Sequence, residues 1–346
     1  MHQELQIINP LDFPGWDELV LASKTSSFFL SSNWARVLQE SYHYKPLYFT
    51  IIKENKISTS VPCMEVRSAF TGNRGVSLPF TDYCEPIAGG KEELREVLSY
   101  MFAYGKDAGW KTIELRSGNC LAEVFPSSCF YYGHTLDISE NERQIFSKFR
   151  DSTKRNIKKA EKEGVVVKIS NSMESLKEFY RLNCMTRKDH GLPPQPFYFF
   201  SKIYEHIISK KLGIVALAEH KNKKIAGAVY FHFGEKAIYK YGASEKNHQN
   251  LRANNLVMWE AIKWYSQNGV KEFCFGRTEP ENHGLLQFKR GWGGKEHSIE
   301  YYKYDLKNEA FVIDYLKLSE IHNRVFHNMP ISLLKITGSL LYKHMG

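Results

Sequence analysis

The sequence predicts an α/β protein of two tandem, related domains, each a mixed β-sheet flanked by helices, and three observations predict it. A chain of 346 residues is too long for one ordinary core. Its 42% hydrophobic and 25% charged residues are the composition of a soluble globular protein rather than a disordered one. Finally, the order hairpin, helix, strand occurs twice along the chain, with matching stop signals.

The first copy opens with a helix over Ser31 to Tyr42, capped by Ser31 or Ser32. Leu47-Tyr-Phe-Thr-Ile-Ile reads as a strand, Glu54-Asn-Lys56 as a turn, and Ile57 to Val66 as the returning strand. After a Gly/Pro-rich stretch from Gly72 to Gly90, a helix runs from about Lys91 to Asp107 and stops at Gly109. The strand Lys111 to Arg116 follows, and Phe130 to Ile138 reads as a further strand.

The second copy repeats this grammar. Ile214 to Glu219 is a strand, Lys221 to Lys224 a turn, and Ile225 to Phe233 the return; Ile57 and Val61 in the first hairpin align with Ile225 and Val229 in the second. A helix from about Asn254 to Gln267 stops at Gly269, and the strand Lys271 to Phe275 matches the one from Lys111. Between the copies lie a helix from Asp151 to Gly164 with an Asp or Ser cap, one over Met173 to Lys188, and one over Phe197 to Ser209. The expected domains are 1–145, 146–310 carrying the active site, and a helical tail over 311–346.

Composition narrows the function classes. No run of about eighteen apolar residues would span a membrane, and the first residues lack the basic and apolar regions of a secretory signal. The six cysteines are scattered without a C-x-x-C pair or a histidine cluster at ligand spacing, so no metal site is expected and reduced thiols in a cytoplasm fit. A net charge of +9 favours a polyanionic partner: nucleic acid, a nucleotide-linked substrate or a membrane face.

Three constellations bear chemistry. Lys154, Lys158 and Lys162 share one helix face, with Arg155 and Lys159 beside them, and such a stripe either neutralises phosphates or is a solvated surface. Tyr239-Lys-Tyr-Gly-Ala-Ser244 leads through a loop to a helix start, a junction where backbone N–H groups can hold an anion. Phe275 to Gly294 carries Arg277, Glu279, His283, Phe288 and Lys289 across the carboxyl end of a buried strand, where ligands of α/β sheets gather. Core packing accounts for Phe288 and Trp292 but not for a lysine between them.

Four segments carry a resemblance: Arg155-Asn-Ile-Lys-Lys-Ala-Glu-Lys-Glu-Gly164, Phe179 to Arg187, Tyr241-Gly-Ala-Ser244, and Gly284-Leu-Leu-Gln-Phe-Lys-Arg-Gly-Trp-Gly293. Together they resemble the Fem-type aminoacyltransferases, closest to the shorter FemAB-related, GNAT-like proteins associated with exopolysaccharide genes. The resemblance implies two tandem GNAT-like domains and transfer of an acyl or aminoacyl group to an amine. It implies no tightly bound cofactor, with aminoacyl-tRNA or acyl-CoA as the donor co-substrate. The family's Phe-Lys pair falls on Phe288 and Lys289, the lysine stabilising the reacting carbonyl. Arg187 and Tyr241 fall on substrate-binding positions.

Two departures bear on the acceptor: Val37 stands where the cell-wall enzymes carry a lysine three residues after the early tryptophan, here Trp34, and their long coiled-coil arm is missing. A GNAT coenzyme A loop would carry glycines after Gln249, where this chain has Asn254 and Asn255.

The reading is thus an N-acyl or aminoacyl transferase acting on a nucleotide- or lipid-linked cell-envelope precursor, with tRNA as a possible partner. The alternatives are an acyl-CoA-dependent N-acyltransferase and an inactive GNAT pair that binds tRNA or polysaccharide. Residues 321–346 hold three Lys/Arg and no acid, so the tail either closes a domain or lies on a membrane. The protein is expected in the cytoplasm, or peripherally at the inner membrane face.

Overall fold

The computed structural model describes residues 5–23, 25–118, 120–122, 125–313 and 325–346. Both hairpins form, and by the same device. Glu54 and Asn55 in one, and Lys221 and Asn222 in the other, all have positive φ, the backbone of a two-residue turn whose twist matches its strands.

The chain separates into two units, the first made of Met1–Tyr131, Ser298–Leu316 and Leu341–Gly346, the second of Tyr132–His297 and Lys317–Leu340. In chain order the first contains β1 (Leu5–Ile8), α1 (Trp16–Leu21), α2 (Ser32–Tyr42), β2 (Lys45–Pro46), β3 (Tyr48–Lys53), β4 (Lys56–Val61), β5 (Met64–Val66), β6 (Arg74–Val76), α3 (Lys91–Asp107), β7 (Thr112–Leu115) and the start of β8 (Cys129–Asp137). β1, β3 and β4 form one antiparallel sheet. The predicted single strand from Ile57 to Val66 is broken in two: Pro62 has no N–H to continue the ladder, and β5 beyond it pairs with β2 and β6 instead. β6 and β7, joined through α3, are parallel. Phe49, Leu98, Met101, Trp110 and Ile113 fill the core beneath α3.

The second unit continues with α4 (Glu142–Ser147), α5 (Asp151–Lys162), β9 (Val166–Ser170), α6 (Met173–Asp189), α7 (Phe197–Ile203), β10 (Gly213–His220), β11 (Lys223–Phe233), β12 (Lys236–Ser244), α8 (Ala253–Gln267), β13 (Glu272–Thr278), α9 (His283–Arg290) and the start of β14 (Lys295–Asp305). Its strand order is β9-β10-β11-β12-β13-β8, antiparallel except for the parallel pair β12–β13 that flanks α8. α5 differs from expectation at its start: Arg150 is the N-cap, without a side-chain hydrogen bond, and Asp151 is the first helical residue, where its charge favours the helix dipole. α7 ends at Ile203 and passes into a π-turn over Tyr204–Ile208.

Each repeat is completed by a strand from outside it. β8 follows the first repeat and pairs with β13 through Tyr132–Asp137, while Tyr302–Asp305 of β14, after the second repeat, pairs with β7. The short β15 (Ala310–Phe311) pairs with β14. The last helix, α10 (Ile331–Leu341), buries Leu334 and Gly338. Among the described residues, no helix is long and apolar enough to cross a membrane.

Candidate active site

The site begins where β12 and β13 part. Their parallel register covers Lys236–Ile238 against Glu272–Cys274. β12 then runs on to Ser244 and β13 to Thr278, leaving a wedge between the two ends. β13 turns away because its pairing with β8 slips between Cys274 and Arg277. Gly276 takes φ +68° there, a left-handed backbone that favours glycine. On the other wall Gly242 is required sterically: a Cβ would lie 1.6 Å from the Tyr239 hydroxyl. Burial pushes the Tyr239 phenol up to about 12, so it stays protonated.

Lys289 is carried to the bulged end of β13 by α9, whose first turn is capped by Asn282 accepting from the Leu285 N–H at 3.1 Å. The residue is only 2% exposed. The ammonium donates to the Gly276 carbonyl at 3.0 Å and the Arg277 carbonyl at 2.8 Å. The bulged strand end and the lysine thus fix one another: the turn of the backbone presents two carbonyls, and the ammonium satisfies both. A cation held in so little water acts strongly on a nearby anion.

The other predicted residues lie on several elements of the second unit. Arg277 is half-buried on β13, and Tyr241 half-buried on the diverging part of β12. The Tyr241 ring packs 5.4 Å from Phe200, with the Lys240 ammonium 5.3 Å from its centroid. Arg187 lies in the last turn of α6, where its Nε donates to the Pro193 carbonyl at 3.4 Å. Next to it, the Thr186 hydroxyl accepts from the Ser244 N–H at 3.1 Å and donates to the Ser244 carbonyl at 3.2 Å. That clasp brings the end of α6 to the end of β12, on the β12 side of the wedge. Phe288 packs edge-on to buried Trp292, ring centroids 5.8 Å apart. Glu279 is exposed on the turn between β13 and α9, and His283 is exposed at the first position of α9.

The basic helix divides. Lys154 donates to the Ser147 carbonyl at 3.0 Å and lies 3.7 Å from Asp151, whereas Arg155, Lys158 and Lys162 are exposed. α5 buries Thr153, Ile157 and Ala160. Its start abuts the end of α9, the Arg150 N–H donating to the Gly291 carbonyl at 2.9 Å. On the loop toward α8, Lys246–Leu251 is a 3-10 helix and Arg252 takes a left-handed φ of +59°. Burial pushes the Glu245 carboxyl up, but Lys223 and Arg181 outweigh it and hold the group below its usual range, pinning this loop to β11 and α6.

A further cluster escaped the sequence reading. His134 on β8 is wholly buried, its Nε2 2.8 Å from Glu296. Glu296 is held by Arg290 through two bonds of 2.6 and 2.9 Å. Burial lowers the His134 pKa, with Lys289 and Arg290 adding in the same direction and Glu296 opposing. The ring is therefore neutral near pH 7. With Nε2–H donated to Glu296, Nδ1 keeps a lone pair, and that atom is buried without a hydrogen-bond partner among the described residues. The signal that would have found this cluster is weak: a lone histidine in a strand, 162 residues from its carboxylate.

A hollow of about 650 Å³ lies at the other end of β13, lined by Thr135, Lys148, Lys271, Glu272 and Lys295 among others. Lys148 and Lys271 are already paired there with Glu140 and Glu235, so the hollow lacks the converging unsatisfied cations of an anion site.

With this geometry in view, the likenesses to known proteins are informative. Residues 147–290 match the model of the acetyltransferase (GNAT) domain. Over 100 residues the chain is 33% identical to the Lipid II:glycine glycyltransferase of Staphylococcus haemolyticus, covering 27% of this chain and 24% of that protein. It is 25% identical over 149 residues to the UDP-N-acetylmuramoylpentapeptide-lysine N(6)-alanyltransferase of Weissella viridescens, covering 42% of this chain and 44% of that one. The chain therefore spans less than half the length of either relative. In fold, a crystal structure of FemX superposes with a TM-score of 0.70 at 15% identity, covering 89% of this chain and 98% of its own. Residues 147–290 thus match the acetyltransferase (GNAT) domain, and part of the chain is similar to two aminoacyltransferases, a glycyltransferase and an alanyltransferase.

Proposed function

We propose that the protein is an N-acyl or aminoacyl transferase that moves its group from a carrier onto an amine of a cell-envelope precursor, of the peptidoglycan or exopolysaccharide kind. The observation that carries this reading is the buried Lys289 ammonium held by the Gly276 and Arg277 carbonyls at the bulged end of β13. The donor's ester or thioester carbonyl lies between the Tyr241 stretch and Lys289. The acceptor amine attacks it, a C–N bond forms, and the oxygen of the tetrahedral intermediate gains charge that the fixed ammonium stabilises. The C–O or C–S bond to the carrier then breaks, and the proton lost by the amine ends on the leaving group. Two relatives named as a glycyltransferase and an alanyltransferase support the class. A lipid-linked acceptor would bring the protein to the inner membrane face as a peripheral protein.

Aminoacyl-tRNA is favoured over acyl-CoA as donor because residues 246–251 are wound into a 3-10 helix and the left-handed position is filled by Arg252. An open glycine backbone is what wraps a pyrophosphate closely. The test is a transfer assay with charged tRNA against nucleotide-linked and lipid-linked precursors, read as a mass gain of one aminoacyl residue. Calorimetry with acetyl-CoA runs alongside. Micromolar acetyl-CoA binding with no tRNA-dependent product would replace the donor.

A further inference from the structure

α10 has two faces that behave differently. On one, Leu334 and Gly338 are buried. Gly338 is pressed so closely on Pro194 that a Cβ would lie 2.0 Å from its carbonyl oxygen. The Lys335 ammonium lies 5.4 Å from the centre of the Tyr180 ring, whose hydroxyl donates to the Gln195 carbonyl at 3.0 Å. The helix is thus seated on the 193–195 segment. On the other face Leu333, Ile336 and Leu340 are 50%, 57% and 60% exposed. At positions i, i+3 and i+7 they fall in one row along the helix. Scattered exposed leucines are ordinary in a protein surface, whereas a row on one helix is not.

We infer that this row is a docking strip for an anionic lipid surface. Three half-exposed side chains fall well short of the roughly 800 Å² per partner of a stable protein interface, but shallow insertion beside lipid headgroups needs only such a strip. The charge does not oppose the same occupant: residues 325–340 contain no Asp or Glu, within a chain of net charge +9. An eleven-residue helix is too short to span a bilayer and suited to lying on one. The inference rests on the transferase reading only for its purpose, which is to hold the enzyme at a lipid-linked acceptor.

Its test therefore uses no substrate. The full chain is sedimented with vesicles of phosphatidylcholine alone or mixed with phosphatidylglycerol, and compared with the triple variant Leu333→Gln, Ile336→Gln, Leu340→Gln, which keeps good helix formers on an exposed face. Expected are binding to the anionic vesicles that weakens with salt and with neutral lipid, and a loss of roughly tenfold or more in the variant at unchanged melting temperature. Equal binding of both proteins, or no binding of the parent chain, overturns the inference. So does a parent that sediments as a dimer in solution while the variant is a monomer, because the strip would then join two copies. Transfer activity on a water-soluble nucleotide-linked acceptor, measured on the same two proteins, reports on the transferase reading separately.

Discussion

In the second unit the parallel pair β12–β13 holds for three residue pairs, after which both strands continue and diverge. In the first unit the matching pair β6–β7 also holds for three pairs, Arg74–Val76 against Thr112–Glu114, but β6 stops at Val76 and β7 at Leu115. The chain after β6 turns through Leu78 and Phe80, both with positive φ. Arg116 then closes the strand end: its guanidinium reaches the Leu78 and Thr81 carbonyls at 3.4 Å and Glu114 at 2.8 Å, and lies 5.6 Å from the centre of the Tyr301 ring. A cation thus meets backbone carbonyls at the strand end in both units. One holds the bulged end of a strand that runs on past its last shared pair, and the other closes the end of its own. The repeated succession carries the scaffold, and whether a site exists depends on how far two strands run past their last shared pair.

The comparison breaks most readily at those two cations. Lys289→Met is expected to lower single-turnover transfer by roughly two to three orders of magnitude, the scale for losing one oxyanion donor. It also leaves the Gly276 and Arg277 carbonyls without their donor, at a stability cost of about 1–3 kcal/mol. Arg116→Met should do the reverse: a loss of about 3 kcal/mol from breaking a mostly buried charge pair, with the rate per folded molecule little changed. Melting and single-turnover rate measured on both variants decide it. A destabilised but fully active Lys289→Met would make the two cations equivalent and remove the catalytic assignment.

Acid should separate the units next. Burial depresses the pKa of His134, and His190, His232 and His297 in the same unit shift the same way for the same first reason. In the first unit His344 shares the direction. A histidine depressed in the fold binds its proton more readily when unfolded. Its stabilisation is complete above the unfolded value of about 6.5 and is lost as pH falls through the folded value. Amide exchange followed from pH 7 to 5 should therefore show the second unit loosening before the first. His134→Gln should flatten that slope by at most about 1.4 kcal/mol per pH unit. Parallel loosening of both units would remove the distinction.

What was legible in the sequence was what depends on neighbours in the chain. Ser31 caps α2, Gly109 and Gly269 follow the helices they end, and both hairpin turns fall where polar residues interrupt apolar runs. Lys289 stood out because a lysine between Phe288 and Trp292 must find polar partners for its ammonium. Its partners did not, since backbone carbonyls leave no mark in residue types. His134 and Glu296 meet only because β8, after the first repeat, pairs into the second unit's sheet. Pro62 is a local signal of the break between β4 and β5, inside a stretch whose other residues all suit a strand.

The smallest expected effect concerns α5, and it sharpens the contrast between a lysine bound by structure and lysines left in water. Lys154 is engaged with Ser147 and Asp151, while Lys158 and Lys162 reach solvent. If the exposed pair contacts the phosphates of a tRNA, Lys158→Gln with Lys162→Gln should weaken binding several-fold at moderate salt. Each lost phosphate contact to a single strand also lowers the slope of log K against log salt by about 0.7. Lys154→Gln should leave that slope unchanged, because its ammonium is already spent on a carbonyl and a carboxylate, and cost under about 1 kcal/mol of stability. The control is Lys56→Gln at the exposed hairpin of the first unit, which removes one unit of net charge far from α5 in sequence. Filter binding of tRNA across a salt series reads all three proteins and the parent. A double variant whose slope, per charge removed, matches the Lys56 control would mean that α5 contributes only its share of the net charge. The stripe would then be a solvated surface, and recognition of the carrier would have to lie nearer the wedge.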